Sequence, residues 1–100
     1  MHKRTKATGI TEEVKKRVYE RDHGLCIFCH RPGDPVAHVI PRSRGGLGVE
    51  QNVVTACWQC HQAMDNGTYG KAFTRDAIRY LEGIYGEFDR EKVTYRKEIS

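Results

Sequence analysis

Residues 26–66 read CIFCHRPGDPVAHVIPRSRGGLGVEQNVVTACWQCHQAMDN, and this stretch decides the fold. It contains all four cysteines as two C-x-x-C pairs, Cys26/Cys29 and Cys57/Cys60. Two such pairs make a four-thiolate set of the kind that tetrahedral zinc takes in closed structural sites. Residues 30–56 separate the pairs, which is more than the roughly 15–20 residues of a usual zinc ribbon. The spacing therefore predicts a structural zinc ion that joins the two ends of a hairpin.

The composition is that of one small domain. At 100 residues and 38% hydrophobic content the core is thin, and scaffolds of this size often need a metal or disulfides for stability. The N-terminal sequence lacks the apolar segment of a secretory signal, and no apolar run approaches the roughly 20 residues that span a bilayer. We therefore expect a cytoplasmic protein that is neither secreted nor membrane-bound, whose cysteines bind zinc rather than form disulfides.

The positive charge is unevenly distributed. The net charge is +4, and the basic residues concentrate in an N-terminal arm, in a cluster over residues 15–21 and in the hairpin, where Arg42 and Arg44 lie. Such a distribution fits a polyanion such as nucleic acid. Many soluble proteins are equally basic without binding one, so the charge alone does not decide the function.

The pattern along the chain predicts an α+β fold. Residues 1–9 are polar and aperiodic, which predicts a basic disordered arm; residues 10–66 form a core with the zinc knuckles, and residues 67–100 form a C-terminal helix and a charged tail. Apolar periodicity and Pro/Gly punctuation predict a helix from Thr11 to about Gly24, strands within 36–40 and 49–56, and helices over 57–66 and 74–85. Residues 87–100 are predicted as a frayed helix or an arm. The central order is strand, strand, helix.

The polar residues of this unit indicate a second metal site. Four thiolates saturate a tetrahedral zinc ion, which leaves His61 without a structural ligand role. Asp65 follows His61 by four residues on the same predicted helix, so the two side chains are neighbours. An imidazole beside a carboxylate suits a harder divalent ion such as Mg²⁺ or Mn²⁺.

Phosphodiester hydrolysis needs a base that deprotonates water, a Lewis acid and cations that hold the backbone. His38 can act as the base because imidazole titrates near neutral pH. The pair of His61 and Asp65 can hold the ion. Arg42 and Arg44, on the glycine-rich loop next to His38, can grip phosphates.

The segment AHVIPRSRGG (37–46), followed by Asn52 and by CWQCH (57–61), resembles the HNH endonucleases, and in particular their small phage and prophage members. The resemblance implies a ββα-metal core with flanking N- and C-terminal helices. It implies a metal-dependent DNA endonuclease that nicks or cuts by phosphodiester hydrolysis. In it His38 is the general base, Asn52 holds that base in place, His61 binds the catalytic Mg²⁺ or Mn²⁺, and the four cysteines bind structural Zn²⁺. A bacterial or phage-infected cell is the expected location.

The chain departs from the family pattern at one position. Many members place Asp or His immediately before the base as a second metal ligand, whereas this chain has Ala37. Asp65, His30 or Asp34 then substitutes, or the ion is held weakly through His61 and water, or the activity is lost. We favour Asp65, which lies one helical turn beyond His61.

Several alternatives stay open at this stage. The chain can be a zinc-stabilised DNA- or partner-binding module with a decayed nuclease site, or an accessory that binds phage packaging proteins. It can be a monomer or a homodimer. Trp58 is expected to pack against the zinc site or the first helix.

Overall fold

The computed structural model describes residues 3–95, with side chains from residue 6 onward. In this part of the chain the helices surround a two-stranded antiparallel sheet. In chain order the elements are α1 (Lys3–Thr8), α2 (Glu12–Arg21), β1 (Asp34–His38), a 3₁₀ turn (Arg42–Arg44), β2 (Val53–Ala56), α3 (Trp58–Asn66) and α4 (Gly70–Tyr85). The order β1, β2, α3 is the ββα unit that the sequence predicts, and the predicted α+β class is confirmed.

Helix α2 braces this unit from one side. It begins where the Thr11 hydroxyl accepts the Val14 N–H at 3.2 Å, as an N-cap does. Directly after the helix, the buried Asp22 carboxylate accepts hydrogen bonds from Arg21 at 2.7 Å, from the Tyr80 hydroxyl at 2.5 Å and from the Thr55 N–H at 2.9 Å. Burial alone raises the pKa of Asp22, but these donors outweigh it and lower the pKa below its ordinary value. One carboxylate thus joins α2, β2 and α4.

The core lies between the sheet and helices α3 and α4. His38 pairs with Val53, and Ala37 pairs with Val54, with an irregularity in the register between Asp34 and Ala37. Every residue of β2 is buried. The buried apolar cluster comprises Cys26, Ala37, Val39, Val54, Ala56, Met64, Ala77 and Leu81. Because Ala37 is part of this cluster, strand β1 turns the side chain before His38 into the core.

Helix α4 is longer than the sequence predicts. It begins at Gly70 rather than near residue 74, and it ends at Tyr85 before Gly86, whose φ of 89° favours glycine. Ala77 and Leu81 are its buried residues. Near its start, the Phe73 ring meets Phe28 of the first cysteine knuckle edge to face, with ring centroids 5.0 Å apart. This contact joins α4 to the cysteine cluster.

The N-terminal segment is ordered where the sequence predicts a disordered arm. Residues 3–8 form α1, and Thr8 at its end is only 3% exposed. The Ala7 carbonyl accepts the Gly48 N–H at 3.2 Å, and a Cβ on Gly48 would lie 2.1 Å from the Gly9 oxygen. Backbone contacts with the hairpin loop therefore hold a segment that has no apolar pattern. Residues 1 and 2 lie outside the described range.

The charged C-terminal segment also packs on the hairpin loop. The Leu47 N–H donates to the Val93 carbonyl at 2.8 Å, and the Tyr95 N–H donates to the Gly45 carbonyl at 2.7 Å. Val93 is buried. Residues 87–95 are thus neither a frayed helix nor a free arm, and residues 96–100 lie outside the described range. No helix within residues 3–95 combines the length and the apolar character needed to cross a membrane.

Candidate functional site

The four cysteines converge at the start of α3. Their Sγ atoms all lie within 4.8 Å of one another, and all four thiols are free. The Cys29 and Cys57 sulfurs are 3.5 Å apart. A tetrahedral zinc ion with Zn–S bonds of about 2.3 Å separates its sulfurs by about 3.8 Å, which matches this set. The cysteines could therefore bind a structural zinc ion.

The electrostatics of the cluster favour a cation. Burial raises the pKa of Cys26, but N–H donors from Cys29, Cys57 and Phe28 outweigh it and lower the pKa to about 7. Burial and the three neighbouring thiols raise the pKa of Cys60 far above its ordinary value. Thiolates at this distance repel one another, so the four thiols cannot all ionise. A bound zinc ion would remove this repulsion because zinc binds thiolates. Within residues 3–95, these cysteines are the set of three or more His, Cys, Asp or Glu side chains that could hold a metal.

A pocket of about 430 Å³ is lined by residues from α2, β1, the 3₁₀ turn and α3. His38 enters it from β1, Arg42 from the 3₁₀ turn, and His61 and Asp65 from α3. Lys15 of α2 also lines it, although the sequence pattern gives that residue no special role. The structure thus brings together three of the predicted catalytic and metal-binding side chains.

His38 is held in one orientation. Its Nε2 lies 2.8 Å from the Thr8 carbonyl oxygen. A carbonyl oxygen can only accept, so Nε2 carries the hydrogen and the neutral ring has its lone pair on Nδ1. Burial lowers the pKa of His38 below its ordinary value; the charges of Arg42 and His61 lower it further, whereas the Thr8 bond and Asp65 act in the opposite direction. The ring is therefore neutral at neutral pH.

His61 and Asp65 form a pair one helical turn apart. The His61 Nε2 and the nearest Asp65 oxygen are 3.6 Å apart, and both side chains are partly open to solvent. Of the three candidates for the missing ligand, Asp65 lines the pocket, whereas His30 and Asp34 are not among its lining residues. Because Ala37 is buried in the core, the position before His38 does not face the pocket. His61 and Asp65 are thus two side chains of metal-ligand type in the pocket, and the position before His38 adds no third.

Asn52 closes the hairpin loop from inside. It is fully buried, its Oδ1 accepts the Ile40 N–H at 2.8 Å, and its Nδ2 donates to the carbonyls of Ile40 at 3.1 Å and Leu47 at 2.9 Å. Gly46 fits under this bridge because it has no side chain; a Cβ would lie 1.7 Å from the Ile40 oxygen. Asn52 therefore fixes the loop that follows His38 and does not touch the pocket.

The remaining predicted residues lie in different parts of the structure. Arg42 lines the pocket and donates from Nε to the Thr8 hydroxyl at 3.4 Å. Arg44 lies instead on a neighbouring groove. Trp58 is 73% exposed, so the expectation that it packs against the zinc site or α2 is wrong; it occupies the first turn of α3, on the solvent side. Thr8 was not predicted, because its contribution to the site is a backbone carbonyl and no side-chain pattern marks it.

Comparison with known proteins agrees with this geometry. Residues 26–67 match the family model described as HNH endonuclease. No curated protein matches the chain. The matched segment contains both cysteine pairs, His38, Asn52 and His61, and such a domain supports a nuclease-type function with DNA as the implied substrate. Residues 26–67, which contain the ββα unit and the cysteine cluster, are therefore similar to an HNH endonuclease domain.

Proposed function

We propose that this protein is a metal-dependent DNA endonuclease in which His38 is the general base. The observation that carries the proposal is the shared pocket of His38, His61 and Asp65. A base and an ion-binding pair must reach the same phosphate, and a pocket of about 430 Å³ has room for a phosphate group and the attacking water.

His38 has the form that the reaction requires. The hydrogen bond from Nε2 to the Thr8 carbonyl leaves the Nδ1 lone pair to take a proton from water. The water oxygen then forms its bond to phosphorus while the bond to the 3′ oxygen breaks, and the proton remains on the imidazole. The Thr8 carbonyl and the Asp65 carboxylate both favour the imidazolium that results. Arg42 binds a non-bridging phosphate oxygen at the edge of the same pocket.

His61 and Asp65 are the residues that would hold Mg²⁺ or Mn²⁺. Their donor set, one imidazole and one carboxylate, is compatible with a hydrated divalent ion that takes its other ligands from water and phosphate. The bound ion would supply Lewis-acid stabilisation of the phosphate charge. Asn52 and Thr8 are positioning residues, since one fixes the loop and the other the ring of His38.

The second candidate function is a DNA-binding module with an inactive nuclease site. One observation favours it: the ion-binding pair has two protein donors, and Ala37 supplies no third. Under this alternative the zinc-binding fold and the basic surface are retained, but no divalent ion supports cleavage.

A plasmid-nicking assay with Mg²⁺ or Mn²⁺ tests the proposal. Wild-type protein should convert supercoiled DNA to the nicked form, and His38→Ala should lower the rate by about 10²–10⁴-fold because proton transfer is lost. His23→Asn is the matched control, because His23 is exposed and lies outside the pocket. Absence of nicking with every divalent ion supports the binding module. Nicking that survives His38→Ala contradicts the assignment of the base.

A further inference from the structure

A second groove continues from the catalytic pocket along α4. We define the α4 groove by its cationic rim, which consists of Arg44, Lys71, Arg75, Arg79 and Arg90. Its volume is about 1130 Å³, more than twice that of the pocket. Pro41 and Asp65 line both cavities, so the groove lies directly beside the pocket. The apolar residues Met64 and Ile78 also line the groove.

The rim carries an excess of positive charge. The five cations come from three separate parts of the chain: the 3₁₀ turn, α4 and the C-terminal segment. Asp65 and Glu82 are the carboxylates that line the same groove, which leaves a net charge of +3 from five cations and two anions. All five cations are exposed. Within the described part of the chain, none of them has a carboxylate oxygen within 4.0 Å.

Folding does not account for this arrangement. Lys71, Arg75 and Arg79 follow one another at four-residue intervals, which places three like charges on one face of α4. Like charges at this spacing destabilise a helix. The helix is anchored by Ala77 and Leu81 in the core, and the cations make no contribution there. A polyanion in the groove would remove the repulsion.

We propose that the α4 groove binds the DNA backbone that leads to the catalytic pocket. The choice of DNA as ligand rests on the proposed function. From Lys71 to Arg79 the helix rises about 12 Å. This length corresponds to about three or four phosphates of one strand of duplex DNA. Arg44 thus belongs to the groove, where it faces the same backbone as α4, while Arg42 contacts the phosphate in the pocket.

The salt dependence of DNA binding tests this inference without cleavage. His38→Ala protein is titrated with a short duplex in EDTA kept below the level that removes zinc, over about 50–200 mM salt. Adding Lys71→Gln, Arg75→Gln and Arg79→Gln should make the plot of log K against log salt less steep, with the magnitude of its negative slope reduced by about 2–3. Affinity should fall about tenfold or more at 0.1 M salt. An unchanged slope overturns the inference.

A charge-matched control distinguishes DNA binding at the α4 groove from a general effect of net charge. Lys16→Gln, Arg31→Gln and Lys92→Gln remove the same three charges from exposed positions that do not line the groove or the pocket. This variant should change the slope by less than about 1. A slope that falls as far as in the α4 variant means that the basic groove has no special role, and the inference fails.

Two further variants keep the test independent of the folding of α4. Arg44→Gln with Arg90→Gln removes rim charges outside the helix and should lower the slope by about 1–2. Glu82→Gln removes a rim anion and should tighten binding, and glutamine can still accept the Phe88 N–H that Glu82 accepts at 3.2 Å. Circular dichroism melting shows whether each variant is folded. Failure of both variants to change binding overturns the inference.

The two proposals fail separately. If wild-type protein nicks DNA while the groove variants bind with an unchanged slope, the nuclease assignment stands and the α4 groove is not the interface. If no divalent ion supports nicking while the groove variants lower the slope, the groove is the interface of a DNA-binding module.

Discussion

The cysteine cluster and the His61–Asp65 pair meet on helix α3. The cluster is a complete set of four ligands, whereas the pair has two ligands and is open to solvent. Cys57 caps α3 and Cys60 lies in its first turn; His61 follows directly, and Asp65 lies one turn later. The cluster has four donors within 4.8 Å, drawn from two distant parts of the chain. The pair has two donors 3.6 Å apart, drawn from a single helix turn and open to solvent.

This difference corresponds to the two roles that metals take in proteins, structural and catalytic. A closed four-thiolate set leaves no position for substrate, so its free energy of binding contributes to folding. An ion at an open pair would keep positions for water and phosphate, so under the proposed function it would contribute to chemistry and little to folding. Loss of the first site should therefore unfold the protein, whereas loss of the second should only stop its reaction.

The largest effect is expected from Cys57→Ser. Serine retains the N-cap of α3, where the Cys57 sulfur now accepts the Cys60 N–H at 3.4 Å, so the change isolates the metal ligand. Structural zinc sites contribute about 10–16 kcal/mol in small domains, which is as large as the whole stability of most domains. We expect loss of about one equivalent of zinc by mass spectrometry and loss of the cooperative melting transition.

His30→Asn is the control for this change. His30 follows Cys29, is exposed and has a φ of 66°, a conformation that asparagine tolerates well. This variant should retain its zinc and its melting temperature. A Cys57→Ser protein that melts like the wild type would remove the distinction between a closed, structural site and an open one.

The second largest effect is expected from Asn52→Ala, which tests whether the catalytic side also depends on a rigid frame. The change removes three hydrogen bonds and leaves the Ile40 N–H without its partner in the core. At about 1 kcal/mol per bond, the free energy of unfolding should fall by about 3 kcal/mol. Denaturant titration of the zinc-loaded protein measures this loss.

The neighbouring Gln51→Ala is the control, because Gln51 is exposed and should cost less than about 0.5 kcal/mol. Equal losses for the two variants would show that the Asn52 bridge does not hold the loop. Nicking by Asn52→Ala should also fall, because the loop that follows His38 loses its fixed shape.

The sequence predicts those parts of the molecule that depend on side-chain type. Two C-x-x-C pairs mark the metal cluster and the Thr11 cap marks the start of α2, and both follow from the chemistry of a residue type at one spacing. The order of His38, Asn52 and His61 marks the ββα unit only through the resemblance to the HNH endonucleases. The structure bears out the fold class and brings the four sulfurs together.

The parts that the sequence does not predict depend on backbone contacts between distant segments. Thr8 orients His38 through its carbonyl, and every residue has a carbonyl. Ala7 and Gly48, and likewise Leu47 and Val93, join the two terminal segments to the hairpin loop through main-chain hydrogen bonds. Such contacts leave no apolar periodicity, so a polar, charged segment resembles a disordered arm even where it is packed.

A smaller effect is expected from Asp65→Asn, which weakens the open site. Asparagine keeps the size and one acceptor oxygen but loses the negative charge that attracts the ion. The concentration of Mg²⁺ or Mn²⁺ that gives half-maximal nicking should rise by about 10–100-fold, while the zinc content stays unchanged. Asp76→Asn is the control, because Asp76 is exposed on α4 and does not line the pocket. A fall in zinc content or in melting temperature would mean that the two sites are coupled.

The smallest effect is expected in the pH dependence of nicking. It tests whether the pocket lowers the pKa of His38 relative to a solvent-exposed histidine. Burial and the Arg42 charge lower the pKa of His38, so its ring should gain a proton only below about 6.5, the ordinary value for histidine. The base is active when neutral; the nicking rate should therefore fall to half of its plateau value only below pH 6.5. Arg42→Gln removes one cause of the low pKa, so the decline should then begin at a higher pH than in the wild type. NMR titration of the His38 ring in the wild type and in Arg42→Gln measures the same shift without DNA. If the His38 ring titrates at the same pH in both proteins, the Arg42 charge does not tune the base.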